Sequence, residues 1–458
     1  MVQNDEKVYG LSKERLESLF DAGTFVELGA YTKRNRDGDA LEGVVCGYGA
    51  VNGKLVFAFA QDITRTKGAF GEHQAKKIEG MYDLAVKNGA PVVAMFDSAG
   101  AVVYDGAAAL AAYGRLMKTI SKASGIIPQI AIISGVCGGS SAIAASAFDF
   151  VVTIKDKSKL YVNSPFIVGD DVAKSAFSAE NGLAAAEAAN EAEAMTYVKA
   201  LVDILPSNNA EGVLCDKITD DINRTVSFDP ESYNAKDLMA LIADNSKVIR
   251  IYEKYARGAL IGFMRVGGVA AGFAVSDNGG VLDIKTARAI AKAVSFCDSF
   301  GIPFVTLVDS IGLDVSSGAD SAAYASELAK LSMAYANSTN AKISVVIGKA
   351  YGAAFTLLGS KSLGADLAYA LEGACISLLS PEASVAFVWN DWVGEKSREE
   401  LEAEWKKRCA SAADALAIGE IDDVIEPSEL RKRICAALSM LAFKADSEPT
   451  RKHAVMPL

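Results

Sequence analysis

Histidine is nearly absent from this chain of 458 residues, which holds two, His73 and His453. A Ser-His-Asp hydrolase needs an imidazole beside a nucleophile elbow, and no Gly-x-Ser-x-Gly occurs. No Gly-x-x-x-x-Gly-Lys-Ser/Thr sequence is present either, which argues against ATP chemistry on this chain. The seven cysteines, at 46, 137, 215, 297, 375, 409 and 435, show no Cys-x-x-Cys spacing and no neighbouring His pair. That excludes a structural zinc motif; the expectation is no metal on this chain and reduced thiols in the cytoplasm. Basic residues are the minority, 46 against 57 acidic, for a net charge of −11, so a nucleic-acid partner is not expected. The N-terminus, Met1 to Lys7, has no apolar signal core. The one long uncharged run, 123–148, contains Pro128, four glycines and several serines. It reads as buried strand, tight turn and buried helix rather than a membrane span.

What the chain does have is hydrophobic residues, 51% of the total, enough for substantial cores or interfaces. It also has a repeat. Gly43 to Tyr48 matches Gly258 to Phe263 at an offset of 215 (258 − 43). The block from Asn88 to Gly100, containing Pro91 and Asp97-Ser98-Ala99-Gly100, matches Phe300 to Gly312, containing Pro303 and Asp309-Ser310-Ile311-Gly312, at 212 (303 − 91). Ile130 to Gly139 matches Ile343 to Gly352 at 213 (348 − 135), and Ser164-Pro165 pairs with Ser380-Pro381. Ordered blocks at a nearly constant period indicate an internal duplication. The reading is an α/β chain with two similar domains, 1–225 and 226–458, joined by a polar, turn-rich linker over Cys215 to Ser232. Periodicity further predicts a helix over Leu11 to Phe20 capped near Ser12, strands from Gly43 to Ala60, a helix over Ser178 to Val202, and an amphipathic helix over Lys396 to Gly419.

Each copy carries a Gly-x-x-x-Gly turn after a buried strand, Gly135 to Gly139 and Gly348 to Gly352, followed by small residues and a helical run. Such glycines permit close packing of helix on sheet. They also let the N–H groups of a helix start approach a ligand, where the dipole favours negative charge. Two such turns, each with an Asp-Ser-x-Gly partner, favour oxyanion holes, in which one donor is worth on the order of 3 kcal/mol.

These residues, with Gln61-Asp62-Ile63-Thr64, Leu205-Pro206-Ser207-Asn208-Asn209, Gly280-Val281-Leu282-Asp283-Ile284, Lys349-Ala350-Tyr351-Gly352 and the terminus Arg451-Lys452-His453-Ala454-Val455-Met456-Pro457-Leu458, make a recognisable order. The chain resembles the carboxyltransferase (beta) subunits of biotin-dependent acyl-CoA carboxylases, and the alpha subunits of sodium-pumping methylmalonyl-CoA decarboxylases. The resemblance implies two tandem crotonase-like domains of ββα superhelical units, the first binding acyl-CoA and the second biotin, in a homohexamer whose sites lie between subunits. It implies carboxybiotin on a separate carrier and a coenzyme A thioester as substrate. In the mechanism it implies, carboxybiotin releases CO2, the resulting ureido anion takes the α-proton of the acyl thioester, and the enolate attacks the CO2, so histidine would not be required. The partners would be a biotin carboxyl carrier and a biotin carboxylase, or a membrane decarboxylase subunit if transfer runs in reverse.

Carried over by position, the acyl-CoA hole lies at Gly138, Gly139 and Ser140, and the biotin hole at Gly352, Ala353 and Ala354. Ala99, Gly100, Ile311 and Gly312 would line the two halves, and Thr356 would select a short acyl group; Arg65, Lys67, Lys76 and Lys77, the nearest basic cluster, are expected to help hold the CoA phosphates. The family has glycine where Ser140 and Ala353 stand and arginine where Val102 stands, departures that also admit a catalytically silent scaffold.

Overall fold

In the computed structural model, residues 11–32, 42–212, 215, 217–316, 318–319, 323–446 and 454–457 are described. The chain divides into two compact units, Met1–Glu211 and Gly212–Leu458.

The first unit runs α1 (Leu11–Leu19), β1 (Val26–Leu28), β2 (Val44–Val51), β3 (Lys54–Gln61), α2 (Glu72–Asn88), β4 (Val92–Phe96), α3 (Ala107–Ala123), β5 (Gln129–Ile133), β6 (Val136–Gly138), α4 (Ser140–Ser146), β7 (Phe150–Ile154), β8 (Lys159–Tyr161), α5 (Pro165–Val168), α6 (Ser175–Glu180), β9 (Ala186–Ala188) and α7 (Glu191–Ile204). Its seven-stranded sheet has the order β1-β2-β3-β4-β5-β7-β9, antiparallel through β3 and parallel after it, while β6 and β8 form a separate parallel pair. Every residue of β4, β5 and β7 is buried. That is why they read as unbroken apolar runs: a parallel strand covered on both faces has no polar side. Helices α2 and α3 lay Ile78, Met81, Tyr82, Leu116 and Ile120 into the core with Phe59 and Phe96, whose rings meet edge to face at 5.6 Å.

The second unit repeats this plan: α8 (Ala235–Ile242), β10 (Val248–Ile251), β11 (Ala259–Val266), β12 (Val269–Ser276), β13 (Gly280–Leu282), α9 (Ile284–Ser299), β14 (Phe304–Leu313), α10 (Tyr324–Asn337), β15 (Lys342–Tyr351), α11 (Ala353–Leu357), β16 (Leu367–Leu371), β17 (Cys375–Ser377), α12 (Pro381–Val388), α13 (Arg398–Cys409), α14 (Ala412–Ala417), β18 (Asp423–Ile425) and α15 (Leu430–Met440). The main strand path is β10-β11-β12-β14-β15-β16-β18. Strand for strand this is the first sheet, with β15 doing the work of β5 and β6 in one piece.

Three expectations need correction. The helix expected over Ser178 to Val202 is α6, the short strand β9 and α7; β9 pairs with β7, and Asn190 caps α7 by accepting from Glu193 N–H at 2.9 Å. The helix expected over Lys396 to Gly419 is α13 and α14, divided where Ser411 and Asp414 form a second capping box. Of α13 only Leu401 is fully buried, and Trp405, one turn on, packs half-buried against Tyr351, Cys375 and Ala410, so the apolar side is narrow; the surrounding charges form the expected ion pairs, among them Lys396 with Glu404 at 2.6 Å. Ser12 is no cap but a buried residue inside α1.

The stretch expected as a linker packs into the second unit. Arg224 pairs with Asp220 at 2.9 Å and donates to Leu241 O at 2.9 Å. The fully buried Arg431 guanidinium bonds Asp244, Ile242 O and Asp221 O, and the Asp244 carboxylate in turn accepts from Gly267 and Gly268 N–H at 3.0 and 2.7 Å. Among the described residues no helix is long and apolar enough to cross a membrane.

Candidate active site

In the first unit, β4 delivers Asp97 to the end of the sheet. Its buried carboxylate accepts from Val136 N–H at 3.3 Å through Oδ1 and from Arg15 Nη1 at 2.9 Å through Oδ2. Gly135 is glycine because of this carboxylate: a Cβ there would overlap Asp97 Oδ1. Ser98 folds the following loop, its Oγ accepting from Gly100 N–H at 3.1 Å and its own N–H donating to Val136 O at 2.8 Å. The loop is also held by Ala99 N–H on Lys67 O at 3.0 Å and Phe70 N–H on Gly100 O at 2.8 Å.

Strand β6 ends at Gly138, and Gly139, at φ 60° and ψ −128°, turns the chain into α4. A side chain there would be strained, which accounts for the glycine. Gly139 N–H is engaged, donating to Tyr161 O at 2.9 Å. The donors left without an acceptor in their own helix are those of the next two residues, Ser140 and Ser141. Gly138 lies against the Tyr161 ring, where a Cβ would stand 2.6 Å from Cε2.

The second unit builds the same object. Asp309 Oδ1 accepts from Lys349 N–H at 2.8 Å, and a Cβ on Gly348 would stand 2.7 Å from that oxygen. Ser310 Oγ accepts from Gly312 N–H at 3.3 Å. Gly352 turns the chain at φ 57° into α11, and its N–H donates to Ser377 O at 2.9 Å. The open donors are again the first two of the helix, Ala353 and Ala354. Ile311 and Thr356 are exposed, and Gly312 is half-buried.

The turns differ in what stands behind the aspartate. Asp97 faces the Arg15 guanidinium. Asp309 has no cationic partner among the described residues; it faces the Tyr233 phenol, which burial, with this carboxylate second, holds well above its ordinary value. Cys137, inside the first turn, is fully buried, and burial pushes its thiol up, so it supplies no thiolate.

Of the donors expected from sequence, Gly139 N–H is engaged by Tyr161 O, while Ser140, Ala353 and Ala354 N–H have no acceptor in their own helices. Gly139 and Gly352 shape the turns while their N–H groups hold the neighbouring strand, and Ser141 joins Ser140 as a donor. The expected basic cluster is reduced. Lys77 is nearly buried and donates to Val44 O at 2.8 Å, and Arg65 lies between Asp62, at 3.5 Å, and Glu42 O. Lys76 is exposed but paired with Glu72 at 2.8 Å. Lys67 is exposed and makes no ion pair among the described residues. Sequence reasoning missed Arg15, Tyr161, Ser141 and Tyr233. Only Arg15 left a signal: it shares the buried stripe of α1 with Ser12, Leu16 and Leu19, where a cation requires a carboxylate.

A carboxyl transferase domain family matches residues 9–456. The propionyl-CoA carboxylase beta chain of Roseobacter denitrificans is 32% identical over 98% of this chain and 93% of its own length. The methylmalonyl-CoA decarboxylase subunit alpha of Veillonella parvula is also 32% identical, over the same shares. A crystal structure of transcarboxylase 12S, a hexamer with methylmalonyl-coenzyme A bound, superposes with a TM-score of 0.92 at 30% identity, covering 98% of this chain and 92% of its own. Two duplicated sheets, each leading into a glycine turn and a short helix, and a family match along nearly the whole length lead to one conclusion: the chain belongs to the carboxyl transferase family, as a biotin-dependent acyl-CoA carboxyltransferase with two tandem crotonase-like units.

Proposed function

We propose that this chain moves a carboxyl group between biotin on a separate carrier protein and the α-carbon of a short-chain acyl-CoA, with one anion-binding turn of each unit serving one of the two reactants. The observation that carries this is the repeated pair of open donors, Ser140 and Ser141 in α4, Ala353 and Ala354 in α11.

In this reading the first turn faces the thioester. Ser140 and Ser141 N–H groups, fixed by the Gly139 turn, stabilise negative charge on the thioester oxygen as the α-proton leaves. The second turn suits the ureido oxygen of biotin: Ala353 and Ala354 put nothing larger than a methyl beside the donors, and Gly352 faces Leu378 O, which a Cβ would approach to 3.3 Å. Biotin, when bound, supplies the activated carboxyl group. Neither aspartate is available as a general base, since both carboxylates hold backbone N–H groups of their own turns. A hydratase-like carboxylate pair is therefore not what these turns offer.

Thr356, exposed on α11, is our choice for the residue that limits acyl length, favouring acetyl to butyryl. Thr356→Ile is expected to change the relative rates with acetyl-, propionyl- and butyryl-CoA; unchanged ratios would remove that role.

Fully exposed apolar side chains, Tyr104 and Phe166 in the first unit and Val315, Leu378 and Phe387 at 95%, 83% and 82% exposure in the second, support assembly between copies, and we infer a homohexamer. The seven cysteines are unpaired, which suits a cytoplasmic enzyme. The proposal is tested by biotin-dependent release of CO2 from methylmalonyl-CoA by the purified chain. Affinity purification from native cells identifies the partners: a biotin carboxylase with its carrier marks synthesis, and a multispan membrane subunit marks decarboxylation.

A further inference from the structure

We propose that Arg15 is a positioning residue of the first half-site, setting the acyl-CoA turn through Asp97 without touching substrate. The inference rests on the assignment of the first turn to the thioester given above.

Arg15 belongs to α1, the first described helix, yet its side chain is 5% exposed. Its three nitrogens reach three distant segments. Nη1 donates to Asp97 Oδ2 at 2.9 Å, Nη2 to Ser134 O at 3.3 Å and Nε to Glu191 Oε1 at 3.0 Å. Two of these acceptors belong to the turn machinery. Ser134 immediately precedes Gly135, and Asp97 is the carboxylate that Gly135 admits and that holds Val136 N–H. From Val136 the chain passes straight through β6 to Gly139 and the open donors of α4. The guanidinium thus fixes both sides of the bend from which the first turn rises. Glu191, also held by Lys157 at 2.7 Å, anchors the guanidinium from behind.

The second unit shows that a cation is not needed merely to fold this motif. There the equivalent aspartate, Asp309, holds Lys349 N–H at 2.8 Å with the neutral Tyr233 behind it. Among the described residues, only the first turn has a cation on its aspartate.

The test uses the full-length chain as Arg15→Met, Arg15→Lys, Asp97→Asn and the Arg15→Met/Asp97→Asn double variant. Amide hydrogen exchange is read first, because it does not depend on activity. Arg15→Met is expected to speed exchange over 134–141 and leave 347–354 unchanged. Biotin-dependent decarboxylation of methylmalonyl-CoA is read second. Arg15→Met is expected to lower kcat/KM for the CoA ester on the order of 10²-fold, the usual cost of a misplacement of about 1 Å. The KM for free biotin should stay within about twofold, with partial recovery in Arg15→Lys. If Arg15 acts through Asp97, the double variant is no slower than Asp97→Asn alone. The double variant also leaves no buried unpaired charge, so the comparison survives if Arg15→Met fails to fold. Equal exchange in both segments, an equal loss toward biotin, or additive losses in the double variant would overturn the inference. A wild-type chain without turnover would refute the proposed function instead, while the exchange result would still decide the role of Arg15 in the turn.

Discussion

The Asp97 carboxylate occupies the space that a side chain on Gly135 would need. The relationship recurs 212 and 213 residues later (309 − 97; 348 − 135), between Asp309 and Gly348, where a Cβ would stand 2.7 Å from Oδ1. In each unit an aspartate on or just after one strand and a glycine on the neighbouring segment form one lock, and the glycine turn that follows is built on it.

Alanine at either glycine should therefore disturb the turn, and more at the first, where overlap is complete. Gly135→Ala is expected to lower carboxyl transfer on the order of 10²-fold. Gly348→Ala should do so by less, with both proteins still folded by circular dichroism. Wild-type rates in both variants would show that the lock does not set the turn.

Asp220 provides a pH test of how the second unit is held. Its hydrogen bond to Arg224, opposed by burial and aided by Asn245 N–H and Arg431, lowers its carboxyl from 3.8 to about 2. A carboxylate depressed on folding adds stability above its unfolded value and loses it as pH falls through the folded one. The contribution should be present at pH 5 and fade as pH falls from 4 through 2. Melting temperatures of wild type and Asp220→Asn should differ most at pH 5 and above and converge only below about pH 2. A gap independent of pH would place the effect of the substitution elsewhere.

Thiol labelling separates core from surface. Burial pushes the Cys46 thiol up to about 12, and Cys137 and Cys297 are likewise buried and raised, whereas Cys215 and Cys409 are exposed. Iodoacetamide at pH 8 is expected to modify the latter two in the native protein and all seven after unfolding, as read by mass spectrometry. Native modification of Cys137 would mean that the first turn opens.

The duplication, the buried parallel strands and the turns were legible because they depend on residue type at short range: glycine where φ is positive, apolar runs where both faces are covered. The acceptors of Gly139 and Gly352 N–H were not, because Tyr161 O and Ser377 O are backbone atoms that a sequence cannot mark. Lys76 and Lys77 are adjacent, yet one faces solvent and the other Val44 O; their burial depends on how α2 meets β2. The break of the helix at Gly182 and β9 was hidden by alanine and glutamate, which suit a helix while the sheet edge recruits Ala186 to Ala188.

The central claim is that each turn serves a different reactant of one transfer. It is tested most directly by ligand binding to Gly139→Val and Gly352→Val, both of which force a branched side chain into a positive-φ position. Equilibrium dialysis with methylmalonyl-CoA and ligand-observed NMR with free biotin report the two sites separately. The account predicts that Gly139→Val loses the CoA ester and keeps biotin, that Gly352→Val does the reverse, and that both lose turnover. Loss of both ligands in either folded variant, or turnover surviving in one, would contradict it.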